Sequence, residues 1–361
     1  MVIKFQYLKS IFPGVILALI FCLFSQGINN VLAIEIFGTE KSPISTVLIA
    51  ILLGILMGNA FTPRPGMMIG LDFTQQYILK LGVIFLGIRL SFADFIKFGS
   101  VAIPLVIFCI LGVLILIKLL IKKVPISSKM SYLIAIGTSV CGATAIIATA
   151  PVINAKKIEV AYAIANITLF GVIAMLVYPY FAEWYFNNNS LEAGLFLGIS
   201  IHETSQVAAA GLIYDQQFNN PETLDVATVT KLIRNTFLVI LIPLFAFLYN
   251  RGEFREKKYS ILSIFPYFVI GFIGMIIVRN IGDQLFTVEN DNFYAWSKFI
   301  EYLKILTTVF LTMAMAAVGI SINLSELKSM GYKPFIVGLI AAVTVGIISL
   351  IYIETLKNFL N

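Results

Sequence analysis

Apolar runs follow one another along almost the whole chain, and most are long enough to cross a bilayer. A helix needs about 20 apolar residues to span about 30 Å of hydrocarbon. We therefore predict an all-α polytopic membrane protein with about eleven transmembrane helices, in which residues 1–361 form a single transmembrane domain with halves of about 1–182 and 190–361. The approximate segments are 11–33, 43–60, 73–90, 100–120, 131–153, 158–182, 191–213, 232–249, 261–279, 299–320 and 333–355.

Composition supports this class and excludes a nucleic-acid-binding protein. Hydrophobic residues make up 59% of the chain and charged residues 12%, whereas average usage is about 45–50% apolar and about 25% charged. The net charge of +6 comes from short connections, where basic residues set membrane orientation. The main basic residues are Lys118, Lys122, Lys123 and Lys129 in one connection and Arg251, Arg255, Lys257 and Lys258 in another.

These charges predict a cytoplasmic N-terminus and an external C-terminus. The acidic stretches 215–225 and 283–291 agree with this orientation, but Lys156 and Lys157 do not, since both would lie on the outer side. The three cysteines have no metal-binding or redox spacing. We therefore expect no metal and no cofactor.

A faint internal repeat points to a transporter. The stretch Gly87–Phe95 matches Gly319–Leu327, and each copy has a further glycine four residues later. Inverted repeats are common in secondary transporters, which bind substrate near the bilayer midplane. An alternative remains open, because this pattern is also a common way to end a membrane helix, and the copies lie seven segments apart instead of the five of a simple five-helix repeat.

The fifth segment combines small and hydroxylated residues at its centre. This composition predicts a discontinuous helix over Gly137–Thr144, whose freed backbone amides would face a cavity and suit an anionic substrate. Close helix packing is the alternative explanation. The tenth segment, Leu311–Ile320, is similarly rich in small residues and is the predicted crossing partner. The candidate binding residues here are Gly137, Thr138, Ser139, Cys141, Gly142 and Thr144.

The apolar stretch Ala193–Tyr214, which coincides with the seventh segment, has five consecutive polar residues at its centre. A charge at the bilayer centre costs about 2.5–3.5 kcal/mol, so such groups normally face a cavity or a partner. On a continuous helix, His202 and Gln206 would share one face. A helix-packing network is the alternative to a substrate site or a proton-carrying pair. The candidates are His202, Glu203, Ser205 and Gln206.

Basic side chains also occur at segment ends, where long side chains usually reach to lipid head groups. Arg89, Lys231 and Arg234 are of this kind, and Arg234 is the best candidate to face inward, because a guanidinium suits an oxyanion. The stretch from His202 to Gln206 superficially resembles a zinc-protease helix, which needs a second histidine where Gln206 stands. The chain has one histidine, so we do not expect an enzyme.

The chain resembles the YeiH-type family of conserved hypothetical bacterial membrane proteins, a family proposed to export sulfate. The resemblance lies in the stretches Leu81–Ser91, Gly137–Ala145, Ala150–Val152, Gly198–Gly211, Lys231–Arg234 and Ala314–Gly319. It implies a fold related to cation–proton antiporters and bile-acid symporters, with two inverted repeats and a pair of discontinuous helices crossing at the midplane. It also implies a carrier in the bacterial inner membrane.

Residues and resemblance together favour a secondary transporter. The expected activity is export of sulfate or a related sulfur oxyanion by alternating access, with proton coupling as one option. A cation-coupled carrier of organic acids and an anion channel are the alternatives. The expected partners are a small inorganic or organic anion and the lipid bilayer, without nucleic acid, and a homo-oligomer remains open.

Overall fold

The computed structural model describes residues 2–36, 42, 44–61, 63–120, 127–249, 266–287, 292–323, 325 and 332–360. These residues form helices and contain no β-strand, which confirms the all-α prediction. The α-helices are α1 (Val2–Val31), α2 (Thr46–Ala60), α3 (Pro65–Phe73), α4 (Leu79–Leu86), α5 (Phe92–Leu120), α6 (Ser128–Ser139), α7 (Ala143–Thr149), α8 (Lys157–Phe186), α9 (Ser190–Ser200), α10 (Thr204–Phe218), α11 (Pro221–Thr236), α12 (Leu238–Tyr249), α13 (Phe268–Leu285), α14 (Phe293–Ser321) and α15 (Tyr332–Leu360).

Seven helical stretches within the described part of the chain are long and apolar enough to cross a membrane. They are Ser10–Ile36, Phe92–Ile117, Lys157–Phe186, Pro221–Leu244, Phe268–Leu285, Phe293–Ser321 and Tyr332–Lys357. Helices α2 and α9 are apolar but shorter. Each of the eleven predicted segments overlaps a helix or a pair of helices, while the number of crossings, the single-domain organisation and the inverted repeat stay predictions. The second copy of the repeat lies partly, and the connection 251–258 wholly, outside the described residues.

The chain divides into two compact units that alternate along the sequence. Unit 1 comprises Met1–Phe95, Gly211–Asp225 and Phe268–Leu324. Within it, α14 packs against α2 and α4, and α1 packs against α3. Two of these contacts are backbone-to-backbone, because glycines face each other across them: Gly54 faces Gly319, and Gly14 faces Gly70. Small residues allow membrane helices to approach this closely.

Arg89 lies in unit 1 as well, in the 3₁₀ turn Gly87–Arg89 that follows α4. Its guanidinium Nε is 3.0 Å from a carboxylate oxygen of Asp225, and its Nη2 is 3.4 Å from one of Asp215. The Arg89 side chain is 11% exposed. It therefore pairs with carboxylates within the protein, instead of reaching to head groups as a basic residue at a segment end usually does.

The glycine contact between α1 and α3 gives a stability prediction. A Cβ on Gly70 would meet the Ile11 carbonyl oxygen and the Gly14 backbone, neither of which can move independently of α1. We expect Gly70→Ala to lower the free energy of unfolding by about 1–3 kcal/mol. Thermal unfolding in detergent measures the change, with Gly274→Ala as control, because Gly274 has open space around its Cβ position. Equal unfolding temperatures for the two variants would contradict the packing described here.

Unit 2 comprises Ile96–Ala210, Val226–Tyr267 and Ser325–Asn361. Helix α8 packs against α6, and α15 packs against α6, α8 and α9. Buried Asn166 on α8 donates its side-chain amide to the Pro334 carbonyl oxygen on α15, and Gly338 leaves the space that this amide occupies. Unit 2 contains both helix interruptions, the one between α6 and α7 and the one between α9 and α10.

Candidate functional site

Unit 2 contains two helix interruptions of three residues each, one between α6 and α7 and one between α9 and α10. Helix α6 ends at Ser139 and α7 begins at Ala143. The interruption ends at Gly142, whose φ of 66° and ψ of −129° suit a residue without a Cβ. The predicted break within Gly137–Thr144 is thus confirmed and narrowed to residues 140–142.

The second break, over residues 201–203, falls in the polar centre of the seventh segment. Helix α9 ends at Ser200 and α10 begins at Thr204. His202 therefore precedes α10, and the prediction that His202 and Gln206 share one helix face was wrong. The predicted partner of the fifth segment was also wrong, because the tenth segment belongs to the uninterrupted helix α14 and the seventh segment supplies the second break.

Lys231 on α11 joins the two breaks. Its side chain is fully buried, with no exposed surface. Its Nζ donates to the Val140 carbonyl oxygen at 3.0 Å, to the Ile201 carbonyl oxygen at 3.0 Å, and to the carbonyl oxygen of His202. One ammonium thus binds backbone from both interruptions, rather than reaching to head groups as segment-end lysines usually do.

Arg234 lies three residues further along α11, is also fully buried, and extends the same arrangement. Its Nε donates to the Ser139 carbonyl oxygen at 2.7 Å, and its Nη2 donates to that of Thr138. Its Nη1 donates to the carbonyl oxygens of Ile199 and Ile201, the latter at 3.3 Å. Arg234 faces inward as predicted, but the donors expected to hold an oxyanion bind backbone in this structure.

The physical reason for these bonds is the chemistry of a helix C-terminus. The last four carbonyl groups of a helix have no intrahelical partner and carry a partial negative charge. At membrane depth no bulk water can satisfy them, so the protein must do so. Lys231 and Arg234 supply both hydrogen-bond donors and positive charge to the ends of α6 and α9.

Glu203 also links the two breaks, but as a hydrogen-bond acceptor at a helix N-terminus. Its carboxylate Oε1 accepts a hydrogen bond of 3.1 Å from the Ala143 backbone N–H, the first residue of α7. The Glu203 side chain also lies against Gly142, where a Cβ would collide with it. Glu203 is only partly buried. The amide that the sequence predicted to be free for a substrate is therefore bound by this carboxylate.

Three further polar side chains around the second break are buried, those of His202, Gln206 and Asn235, but not all of their polar atoms are paired. His202 is 1% exposed, and its Nδ1 has no hydrogen-bond partner. Gln206 accepts from the Glu203 N–H at 3.3 Å through Oε1, and its carboxamide fills the space beside Gly171. Asn235 donates to the Thr204 hydroxyl at 2.9 Å. An unpaired imidazole nitrogen in this setting can accept a hydrogen bond from a cargo or donate one to it.

Most other candidates from the sequence lie at or next to the breaks. Thr138, Ser139, Cys141 and Ser205 are buried, and the Ser139 hydroxyl donates to the Ala135 carbonyl oxygen at 2.6 Å. Gly137 packs against the Ile146 and Ile167 side chains, and Thr144 is exposed. Among the residues that sequence reasoning left out, Ser200 has a buried hydroxyl without a partner.

Comparison with known proteins agrees with the resemblance seen in the sequence. The family model described as conserved hypothetical protein 698 matches residues 13–338. The chain belongs to this family. A relative from Streptococcus agalactiae serotype V, named as a UPF0324 membrane protein, is 33% identical over 344 residues, covering 94% of this chain and 95% of the relative.

Other members of the family are similar over comparable lengths. A UPF0324 membrane protein of Fusobacterium nucleatum is 33% identical, covering 88% of this chain and 91% of the relative. One from Clostridium tetani is 27% identical, covering 97% of this chain and 99% of the relative. No solved structure matches the chain. Together with its apolar helices, this membership identifies the chain as a membrane protein.

Proposed function

We propose that this protein is a secondary transporter of a small anion, and that the cargo passes the two breaks of unit 2 by alternating access. The observation that carries the proposal is the pair of interrupted helices joined by Lys231, Arg234 and Glu203. Irregular backbone is tolerated at membrane depth only where protein buries it or where it lines a cavity. Discontinuous helices of this kind form the substrate sites of many secondary transporters.

Charge favours an anion over a cation as cargo. The cluster holds two buried cationic side chains, Lys231 and Arg234, and one carboxylate, that of Glu203. With all three ionised, one positive charge is left in excess. A buried charge is stable only with a partner, and an anionic cargo would provide one. Sulfate or a related sulfur oxyanion is the cargo we propose, on the strength of the family resemblance.

Two side chains are available for substrate binding or proton coupling. His202 has an unpartnered ring nitrogen, and Glu203 is held at the breaks by a single backbone bond in this part of the structure. Either group can exchange a proton during a transport cycle. Gln206 binds the Glu203 backbone and so positions the pair.

The wider setting of the proposal rests on the charge pattern and the family resemblance. We propose a bacterial inner-membrane protein with a cytoplasmic N-terminus, without enzymatic activity, cofactor or nucleic-acid partner. A homo-oligomer is compatible with it. The direction proposed is export.

Proteoliposomes containing the purified protein test the cargo. We expect labelled sulfate or sulfite to be taken up with saturable kinetics. Comparing the uptake rates with and without an imposed proton gradient shows whether transport is coupled to protons. Stronger competition by carboxylates than by sulfate would instead indicate an organic-acid carrier. Single-channel currents in planar bilayers, without saturation, would indicate an anion channel.

A further inference from the structure

The Lys231 ammonium occupies a site made of backbone carbonyl oxygens. An ammonium group carries three N–H donors, and the three carbonyl oxygens of Val140, Ile201 and His202 accept from it. Its hydrogen-bonding capacity is therefore filled by main chain. In this state Lys231 has no donor left for a cargo, and its role at the site is to supply a fixed positive charge.

Carbonyl oxygens at unwound helix ends are also the ligands that bind alkali cations in membrane proteins. Half-helix C-terminal ends and unwound carbonyls coordinate Na⁺ in secondary transporters, and rings of carbonyls bind K⁺ in channels. The Val140, Ile201 and His202 carbonyl oxygens have this character, since they follow the C-termini of α6 and α9 and converge on one point.

We propose that these three carbonyl oxygens form a latent site for a monovalent cation, which the tethered ammonium of Lys231 fills permanently. The proposal rests on the transport function above and adds to it that the carrier needs no Na⁺ or K⁺ at its helix breaks. The positive charge that a co-transported metal ion would bring and remove in each cycle is instead covalently attached.

The neighbouring arginine strengthens this assignment. Arg234 shares the Ile201 carbonyl oxygen with Lys231 and binds three further carbonyl oxygens at the ends of the same two half-helices, those of Thr138, Ser139 and Ile199. Both C-termini are thus neutralised by fixed cations, and an added metal ion would meet electrostatic repulsion from two side chains. Any coupling cation must then act elsewhere or be a proton.

Removing the Lys231 side chain should expose the latent site. In Lys231→Ala the three carbonyl oxygens remain, and the atoms removed from the side chain, three methylene groups and an ammonium, correspond to a propylammonium ion. We expect K⁺ and propylammonium to raise the Tm of the purified variant by about 5 °C relative to choline at saturating concentration. The wild type, whose site is already filled, should show no such shift.

Lys298→Ala is the matched control, because Lys298 is an exposed lysine on α14 that pairs with Glu301. Its Tm should not respond to the choice of cation. A Lys231→Ala variant that folds only when propylammonium or K⁺ is present supports the proposal. A variant that unfolds equally in choline, K⁺, Na⁺ and propylammonium overturns it, as does a wild type stabilised by K⁺ to the same extent.

This measurement is independent of transport. Cation-specific stabilisation of Lys231→Ala in a protein that moves no anion would contradict the proposed function and leave the latent site standing. Anion flux by the wild type together with a Lys231→Ala variant whose Tm does not depend on the cation would leave the transporter standing and contradict the latent-site proposal.

Discussion

Glu203→Gln should reduce anion flux in proteoliposomes by at least about tenfold, which corresponds to about 1.4 kcal/mol of transition-state free energy. The carboxamide keeps an oxygen able to accept from the Ala143 N–H, so the contact at the start of α7 survives. The substitution removes the negative charge between the two breaks and the group that can take up a proton. Function should therefore be lost without loss of the fold.

Glu301→Gln is the control for this prediction, since Glu301 is an exposed carboxylate on α14. Flux by that variant should equal the wild-type flux, and both variants should unfold at the wild-type temperature. If Glu203→Gln transports at the wild-type rate, then its carboxylate takes no part in transport and serves only to cap α7.

Gly142→Ala should be the most damaging small substitution at the site. Gly142 has a φ of 66° and a ψ of −129°, a conformation that costs about 1–3 kcal/mol for a residue with a side chain. The added Cβ would also collide with the Glu203 side chain, and overpacking costs about 1–3 kcal/mol more. We expect the free energy of unfolding to fall by about 3 kcal/mol and transport to be lost.

The two costs can be separated by experiment. Combining Gly142→Ala with Glu203→Ala removes the collision and leaves the backbone strain, so the double variant should recover part of the lost thermal stability. Gly274→Ala, at a helical position with open space, should not lower the stability, because alanine has the higher helix propensity. A Gly142→Ala protein as stable as the wild type would contradict the backbone geometry at the first break.

The sequence predicted the first break but not the second, for a physical reason. Gly142 gave a local signal, because a glycine among small residues marks a position where a helix can stop. Residues 201–203 contain neither glycine nor proline. Their departure from helical geometry is compensated by Lys231 and Arg234, which come from a different helix and are 28 or more positions away in sequence.

The basic residues show the same limit. Arg89, Lys231 and Arg234 all stand at ends of apolar segments, where sequence favours head-group contact. Arg89 pairs with two carboxylates of unit 1, whereas the other two bind main-chain carbonyls of unit 2. Lys231 and Arg234 are three residues apart, and threonines stand at 228 and 230 on the same helix. This pattern indicates a buried polar face, but it could be interpreted so only after the structure had shown the carbonyl groups that accept from the two cations.

The most direct test is labelled-sulfate flux through the His202→Ala/Glu203→Gln double variant and through the wild type, reconstituted at equal protein density. It decides whether cargo moves past the two breaks. We predict saturable uptake by the wild type and uptake at the level of empty liposomes by the double variant. Thermal unfolding curves should show that both proteins are folded. Equal uptake by the two proteins would show that anions cross elsewhere and that the polar cluster of unit 2 only stabilises the fold.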